Sequence, residues 1–191
     1  MSRKTRVASA HKVSMQNQVC RENRTNAKWF RPPTGWFKIN ADGSRHPSSG
    51  LSACAGVILD SNGKWINGFS TALGQCSVLD AELWGLCESL SRAWDLGLRR
   101  IVIETNCAEA ATILRQGVCM DRISHLAPHL CALLLREWNL KISQTVRENN
   151  AVTDMLAKYA WRLPFGVHCF NSPPLWIQPL LESNMVVGFS S

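Results

Sequence analysis

The run Ile101-Val102-Ile103 constrains the fold more than any other stretch. Three apolar residues stand side by side between Arg99-Arg100 and Glu104-Thr105-Asn106, with no polar residue alternating among them. A strand of this kind is expected to be covered on both faces, which happens where helices flank a sheet on both sides. The segments before it are patterned differently. Phe37, Ile39 and Ala41 alternate with Lys38, Asn40 and Asp42; Val57-Ile58-Leu59 runs into the turn Asp60-Ser61-Asn62-Gly63; Trp65-Ile66 leads on to Gly68-Phe69. These read as three strands, the second and third joined in an antiparallel hairpin.

Helices alternate with the remaining strands. The clearest spans about 79–96, where Leu83, Leu86, Cys87, Leu90 and Trp94 form one apolar stripe. Ser77-Val78-Leu79-Asp80 supplies a capping box at its start and Gly97 a stop at its end. A short helix over about 107–115 and a longer one over about 124–137 follow, the latter with Leu126, Leu130, Leu133 and Leu134 inside. A strand at 139–146 and a helix at 150–160 close the series. The order βββαβααβα predicts an α/β domain with a mixed, five-stranded sheet and helices on both faces. The domain is placed at 29–160. Residues 1–28 are polar, basic and without apolar periodicity, and read as a disordered basic tail or linker. Residues 161–191, with Pro164, Pro173, Pro174 and Pro179, read as an irregular C-terminal tail packing partly on the domain through Trp161, Phe170 and Trp176.

Charge helps only once it is located. The chain carries a net +7, yet residues 1–31 hold eight basic residues against Glu22 alone, and the rest balances thirteen basic against thirteen acidic side chains. The excess therefore sits on the tail, and total charge does not argue that the folded part grips phosphates. Eight cysteines without a CxxC pair read as reduced thiols of an intracellular protein, nuclear or cytoplasmic. The Arg-rich, acid-poor start also has the composition of an organelle transit peptide, though a linker from a larger upstream protein is the simpler reading. No apolar run is long enough to span a bilayer, so no membrane partner is expected, and a monomer is the default. His125, His129 and Cys131 lack a second ligand pair nearby and read as ordinary helix residues rather than a zinc site.

Four windows carry the chemistry: Lys38-Ile39-Asn40-Ala41-Asp42-Gly43-Ser44, Asp80-Ala81-Glu82-Leu83-Trp84, Ile103-Glu104-Thr105-Asn106, and Arg147 through Asp154. Acids delivered from separated elements suit a hard divalent cation, which takes oxygen ligands. Each window also has a plainer explanation. Asp42-Gly43 has the composition of a turn at a strand end, with the glycine admitting a phosphate or sugar close to the backbone. Asn106-Cys107-Ala108-Glu109 has the form of a capping box. Asp154 stands one turn before Lys158, as in a surface ion pair. Glu82 is harder to explain away: it lies on the apolar stripe one turn before Leu86, where a carboxylate without a partner is costly.

Taken together, the windows resemble ribonuclease H type 1, most closely its plant retroelement-type branch, from roughly Trp29 to Tyr159. The resemblance implies hydrolysis of the RNA strand of an RNA-DNA hybrid with two Mg2+ (or Mn2+) ions held about 4 Å apart. It assigns Asp42 to both ions, makes Glu82 the second ligand and Asp154 the fourth, and places Gly43, Ser44 and Asn106 against the nucleic acid. Two positions depart from the family pattern. Asn106 stands where an Asp ligand is expected, and Gln144 where a loop histidine helps protonate or release the product. Glu104 lies two residues from Asn106, about 6–7 Å along a strand, too far to substitute. The stretch Gln116 to Ser124 carries only Arg122, without the basic protruding helix of some members, a lack that the basic tail would offset. The expectation is thus a folded domain with weakened or absent nuclease activity; the alternative is an inactive module binding RNA-DNA hybrid or another nucleic acid.

Overall fold

In the computed structural model, residues 30–116 and 125–186 are described. The expected basic tail, Arg122 and the start of the helix placed at 124 lie outside these residues. The chain runs β1 (Phe37–Arg45), β2 (Leu51–Leu59), β3 (Trp65–Gln75), α1 (Val78–Asp95), β4 (Arg100–Thr105), α2 (Ala108–Gln116), α3 (Ala127–Leu134) and β5 (Asn139–Gln144). A 3-10 turn, Arg147–Asn150, leads into α4 (Ala151–Tyr159), and β6 (Gly166–Phe170) and α5 (Gln178–Val186) follow. The strands form one sheet in the order β5-β4-β1-β2-β3-β6. β4 is parallel to both β1 and β5, and the other pairs are antiparallel.

The mixed α/β architecture is the expected one, with six strands in place of five. Its main core lies between the sheet and α1 to α3. There Ile39, Ile101 and Ile103 meet Leu83, Leu86 and Leu90 of α1, Leu114 of α2 and Leu130 and Leu133 of α3. α1 begins at Ser77, whose Oγ accepts the Asp80 N–H at 3.0 Å, and ends before Gly97, which takes φ +75°. A second core on the other face joins Ala55, Val57 and Leu59 of β2 to Val152, Leu156 and Ala157 of α4.

Complete burial of β4 under two helical layers is not what occurs. Val102 is half-buried, and α4 lies over β1 and β2 instead. Beside Val102 that face of the sheet carries a buried ion pair: Lys38 Nζ lies 2.8 Å from Glu104 Oε1 and donates to the Phe30 carbonyl at 2.6 Å. Asn40 Nδ2 donates to Glu104 Oε2 at 3.2 Å. The pair ties β1 to β4 and to the segment preceding β1; such pairs specify register more reliably than they add stability.

The C-terminal segment is not the irregular tail expected. β6 pairs antiparallel with β3, and Trp65 Nε1 donates to the Phe170 carbonyl at 2.9 Å. Ile177 and Leu181 are buried in the second core against α4, and the Trp176 and Tyr159 rings meet with centroids 4.5 Å apart, tilted by 40°. Residues 161–186 thus hold α4 onto the sheet. The Ile177→Ala substitution is expected to cost about 2–5 kcal/mol, as at a buried core position. Urea unfolding of the full chain reads this directly, and a cost under about 0.5 kcal/mol, as at a surface position, would refute the assignment.

Candidate active site

β1 continues through the Asp42-Gly43 dipeptide. Asp42 pairs with Ala55, Gly43 with Cys54, and the ladder runs on to Arg45 opposite Ser52, so no turn interrupts it. The glycine has a different purpose from the one expected. A Cβ at position 43 would lie 2.4 Å from the Glu82 nitrogen and 2.6 Å from the Ala81 carbonyl carbon. A Cβ at Gly85 would lie 3.1 Å from the Asp42 carbonyl oxygen. These two positions without side chains let the first turns of α1 rest on the backbone of β1, and the contact brings Glu82 beside Asp42. Both acids are buried, Asp42 at 4% exposure and Glu82 at 5%. Ser44, also buried, shares Asp42's face of the strand two residues on.

The parallel pairing of β1 with β4 ends at Asn40 opposite Glu104. Beyond it the two strands part, leaving a notch at the C-terminal ends of parallel strands, where ligands of α/β sheets bind. One residue, Asn150, fills the gap. Its Nδ2 donates to the Ala41 carbonyl at 2.9 Å, to Asn106 Oδ1 at 2.8 Å and to Asp42 Oδ1 at 3.3 Å. Its Oδ1 accepts from Thr153 Oγ1 at 2.7 Å. Asn106 therefore faces the notch rather than capping α2. Cys107 takes the capping position: its carbonyl accepts the Ala111 N–H, and its Sγ the Ala110 N–H at 3.5 Å. Asn150 was not singled out from sequence; the only signal was its place in an Asn-Asn doublet ahead of a helix.

Asp154 lies one turn beyond Asn150 on α4. Its Oδ1 is 3.4 Å from Arg147 Nη2, and its Oδ2 accepts from Lys158 Nζ, the pair anticipated at i, i+4. Glu104 is held by Lys38 and Asn40 and does not replace the missing acid. Gln144 ends β5 opposite Thr105 and is exposed at the rim. His125 and His129 are exposed while Cys131 is buried.

Burial sets the electrostatics of the notch. It lifts the Asp42 carboxyl to about 7, with the Asp154 charge adding to the effect and Arg147, Asn150 and Lys158 opposing it. Burial likewise lifts Glu82 to about 8, reinforced by Asp42 and opposed by the Gly43 amide and Arg147. Glu82 Oε2 is buried without a hydrogen-bond partner. A carboxylate oxygen desolvated in this way, next to a second buried acid, favours a proton or a cation. Among the described residues no three His, Cys, Asp or Glu side chains gather into a metal-ligand group. The donor set is two carboxylates, beside an Asn106 carbonyl oxygen that already accepts from Asn150, and two carboxylates fit Mg2+, which takes one or two from the protein and fills its octahedron with water and substrate.

Known proteins share this arrangement of elements. The sequence profile of a family described as reverse transcriptase-like matches residues 40–160, which include Asp42, Glu82, Asn106, Gln144 and Asp154 and stop short of β6. An Arabidopsis thaliana protein provisionally named a ribonuclease H protein is 34% identical over 157 residues. The match covers 82% of this chain and 25% of that protein, so the chain spans about a quarter of the curated relative's length. The N-terminal ribonuclease H domain of a Mycobacterium tuberculosis protein aligns at TM-score 0.60 and 20% identity, over 66% of this chain and 94% of that structure. LC11 ribonuclease H1, solved in complex with an RNA/DNA hybrid, aligns at TM-score 0.57 and 23% identity, over 65% and 95%. At such identities the two structures speak for the fold.

Two outcomes follow from the notch. Gly43→Ala places a methyl group against the backbone of α1, which cannot yield as a side chain would, and is expected to cost about 1–3 kcal/mol in chemical denaturation. A substitution without cost would mean that α1 does not rest on β1. The second concerns pH. Asp42 and Glu82 hold their protons to about 7 and about 8 in the folded chain, against ordinary values of 3.8 and 4.5. Their contribution to stability is whole below about pH 4 and is lost as pH rises through the folded values, because the folded state binds more protons across that window. In chelator, stability is therefore expected to fall from about pH 5 to about pH 8, and the Asp42→Asn/Glu82→Gln double variant to show a flatter profile. Superimposable profiles would contradict the assignment.

Proposed function

The chain belongs to the reverse transcriptase-like family of ribonuclease H-like domains, and on that premise we propose that it is a ribonuclease H-type endonuclease domain directed at the RNA strand of RNA/DNA hybrids, its hydrolytic step weakened at Asn106 and Gln144. The observation that carries this reading is the buried Asp42 and Glu82 pair in the notch, with Glu82 Oε2 lacking a partner. The solved LC11 relative was crystallised with such a hybrid, which supports the choice of substrate.

Asp42 and Glu82 would hold Mg2+ or Mn2+, with the Asn106 carbonyl at the border. The cation they would hold would supply stabilisation of charge on the scissile phosphate and activation of a water. The chain's own residues set how well that works. Burial of Asp42 and Glu82 excludes solvent and strengthens every charge interaction in the notch. Asn106 offers an oxygen without charge, and Asn150 fixes its orientation by holding Oδ1. Gln144, at the rim, can donate a hydrogen bond to a phosphate oxygen. It cannot release a proton near neutral pH, so the leaving 3′ oxygen must take its proton from solvent. Ser44 and Asn106 are the side chains of the notch suited to read a 2′-hydroxyl, the group that separates RNA from DNA.

A second reading, an inactive hybrid-binding module, is favoured by one observation: Asp154 is engaged on both oxygens by Arg147 and Lys158. Cleavage of a labelled hybrid in Mg2+ or Mn2+ by the native chain and by Asn106→Asp separates the two. Restoring the charge is expected to raise turnover about 100-fold, each 1.4 kcal/mol being worth a factor of ten. Native turnover equal to or above that of the revertant would sink the weakened-nuclease reading. Tight hybrid binding with no cleavage by either chain would establish the module.

A further inference from the structure

We propose that the notch takes a single divalent cation, between Asp42 and Glu82, and that the hydrogen-bonded amides of Asn106 and Asn150 exclude a second. The inference rests on the proposed function only in taking the notch to be a cation site; it adds how many ions the chain accepts and what limits the number.

Three observations converge. First, Glu82 Oε2 is the one acidic oxygen in the notch that is buried without a partner, and it belongs to the acid adjoining Asp42. Second, the other oxygens a second ion would need are committed. Asn106 Oδ1 accepts from Asn150 Nδ2 at 2.8 Å, and that nitrogen also reaches Asp42 Oδ1 at 3.3 Å. An amide hydrogen aimed at an oxygen repels a cation approaching along the same direction. Asp154 has Arg147 at one oxygen and Lys158 at the other, and Glu104 is held by Lys38 and Asn40.

Third, charge counts against two ions. With both notch acids ionised, Asp42, Glu82 and Asp154 stand against Arg147 and Lys158, which leaves one net negative charge, and one dication already over-neutralises it. A second dication about 4 Å away would meet the full repulsion of the first with no unpaired carboxylate to offset it. Asn150 is in this account a positioning residue, acting through Asn106 and Asp42.

Mn2+ titration of the full chain, with free ion followed by electron paramagnetic resonance and without nucleic acid, counts the sites directly. The native chain is expected to bind one ion, Glu82→Gln to lose it while keeping a cooperative thermal transition, and Asn106→Asp to bind two. Two ions or none on the native chain, one ion surviving Glu82→Gln, or a revertant still limited to one, would each overturn the proposal. Binding of a fluorescent hybrid, measured alongside in chelator, keeps the failures apart. If the native chain binds hybrid and two ions, only the single-ion inference falls; if neither native chain nor revertant binds hybrid, the functional reading falls whatever the ion count.

Discussion

Backbone resting on backbone, where α1 crosses β1, is the contact from which the remainder of the site follows. Gly43 and Gly85 remove the side chains that would hold the two elements apart. The phase of α1 is set elsewhere, by Leu83, Leu86 and Leu90 in the main core and by the Ser77 cap. With rotation and approach both fixed, Glu82 has no freedom to leave the interior, and its carboxylate is buried as a consequence of hydrophobic packing. The fold thus creates an electrostatic liability beside Asp42, of a kind that only a proton or a cation relieves.

The sheet supplies the second half of the site by stopping. β4 accompanies β1 to Asn40 and then departs, leaving the Ala41 carbonyl without a strand partner; Asn150 supplies the missing donor from the turn ahead of α4. A single side chain thereby registers α4, β1 and the end of β4 against one another. Behind it the Lys38–Glu104 pair fixes the same two strands. In front, β6 and α5 press α4 onto β2 through Ile177 and Leu181. The family profile ends at residue 160, yet the helix bearing Asp154 depends on residues beyond that limit.

How far the sequence revealed this depends on whether a signal is local or distant. α1 was legible because its stripe, cap and stop are local, β1 because alternation is local, and β2 and β3 because the turn that joins them is local. Gly43 was ambiguous because turn chemistry and close approach to another element favour the same residue, and only the distant helix distinguishes them. Asn106 was ambiguous likewise: an Asn three residues before Glu109 has the wording of a cap, but its partner, Asn150, lies 44 residues away. β6 is five residues long and bordered by prolines, so its pairing with β3 leaves almost no trace in its own composition. The acidic windows could be named from sequence; the amide that binds them together could not, since hydrogen bonds between distant side chains have no period.

An amide at position 106 is easier to understand in this setting than in isolation. A third carboxyl at position 106 would face Asp42 and Glu82 in a desolvated notch, and without cations its charge would add to the burden that already keeps those two protonated. An amide of nearly the same shape removes that charge and accepts a hydrogen bond from Asn150, so the domain stands more easily on its own. What it would give up, under the proposed function, is field at the scissile phosphate. On that reading, the same amide that steadies the notch would weaken the chemistry, the usual exchange between stability and activity.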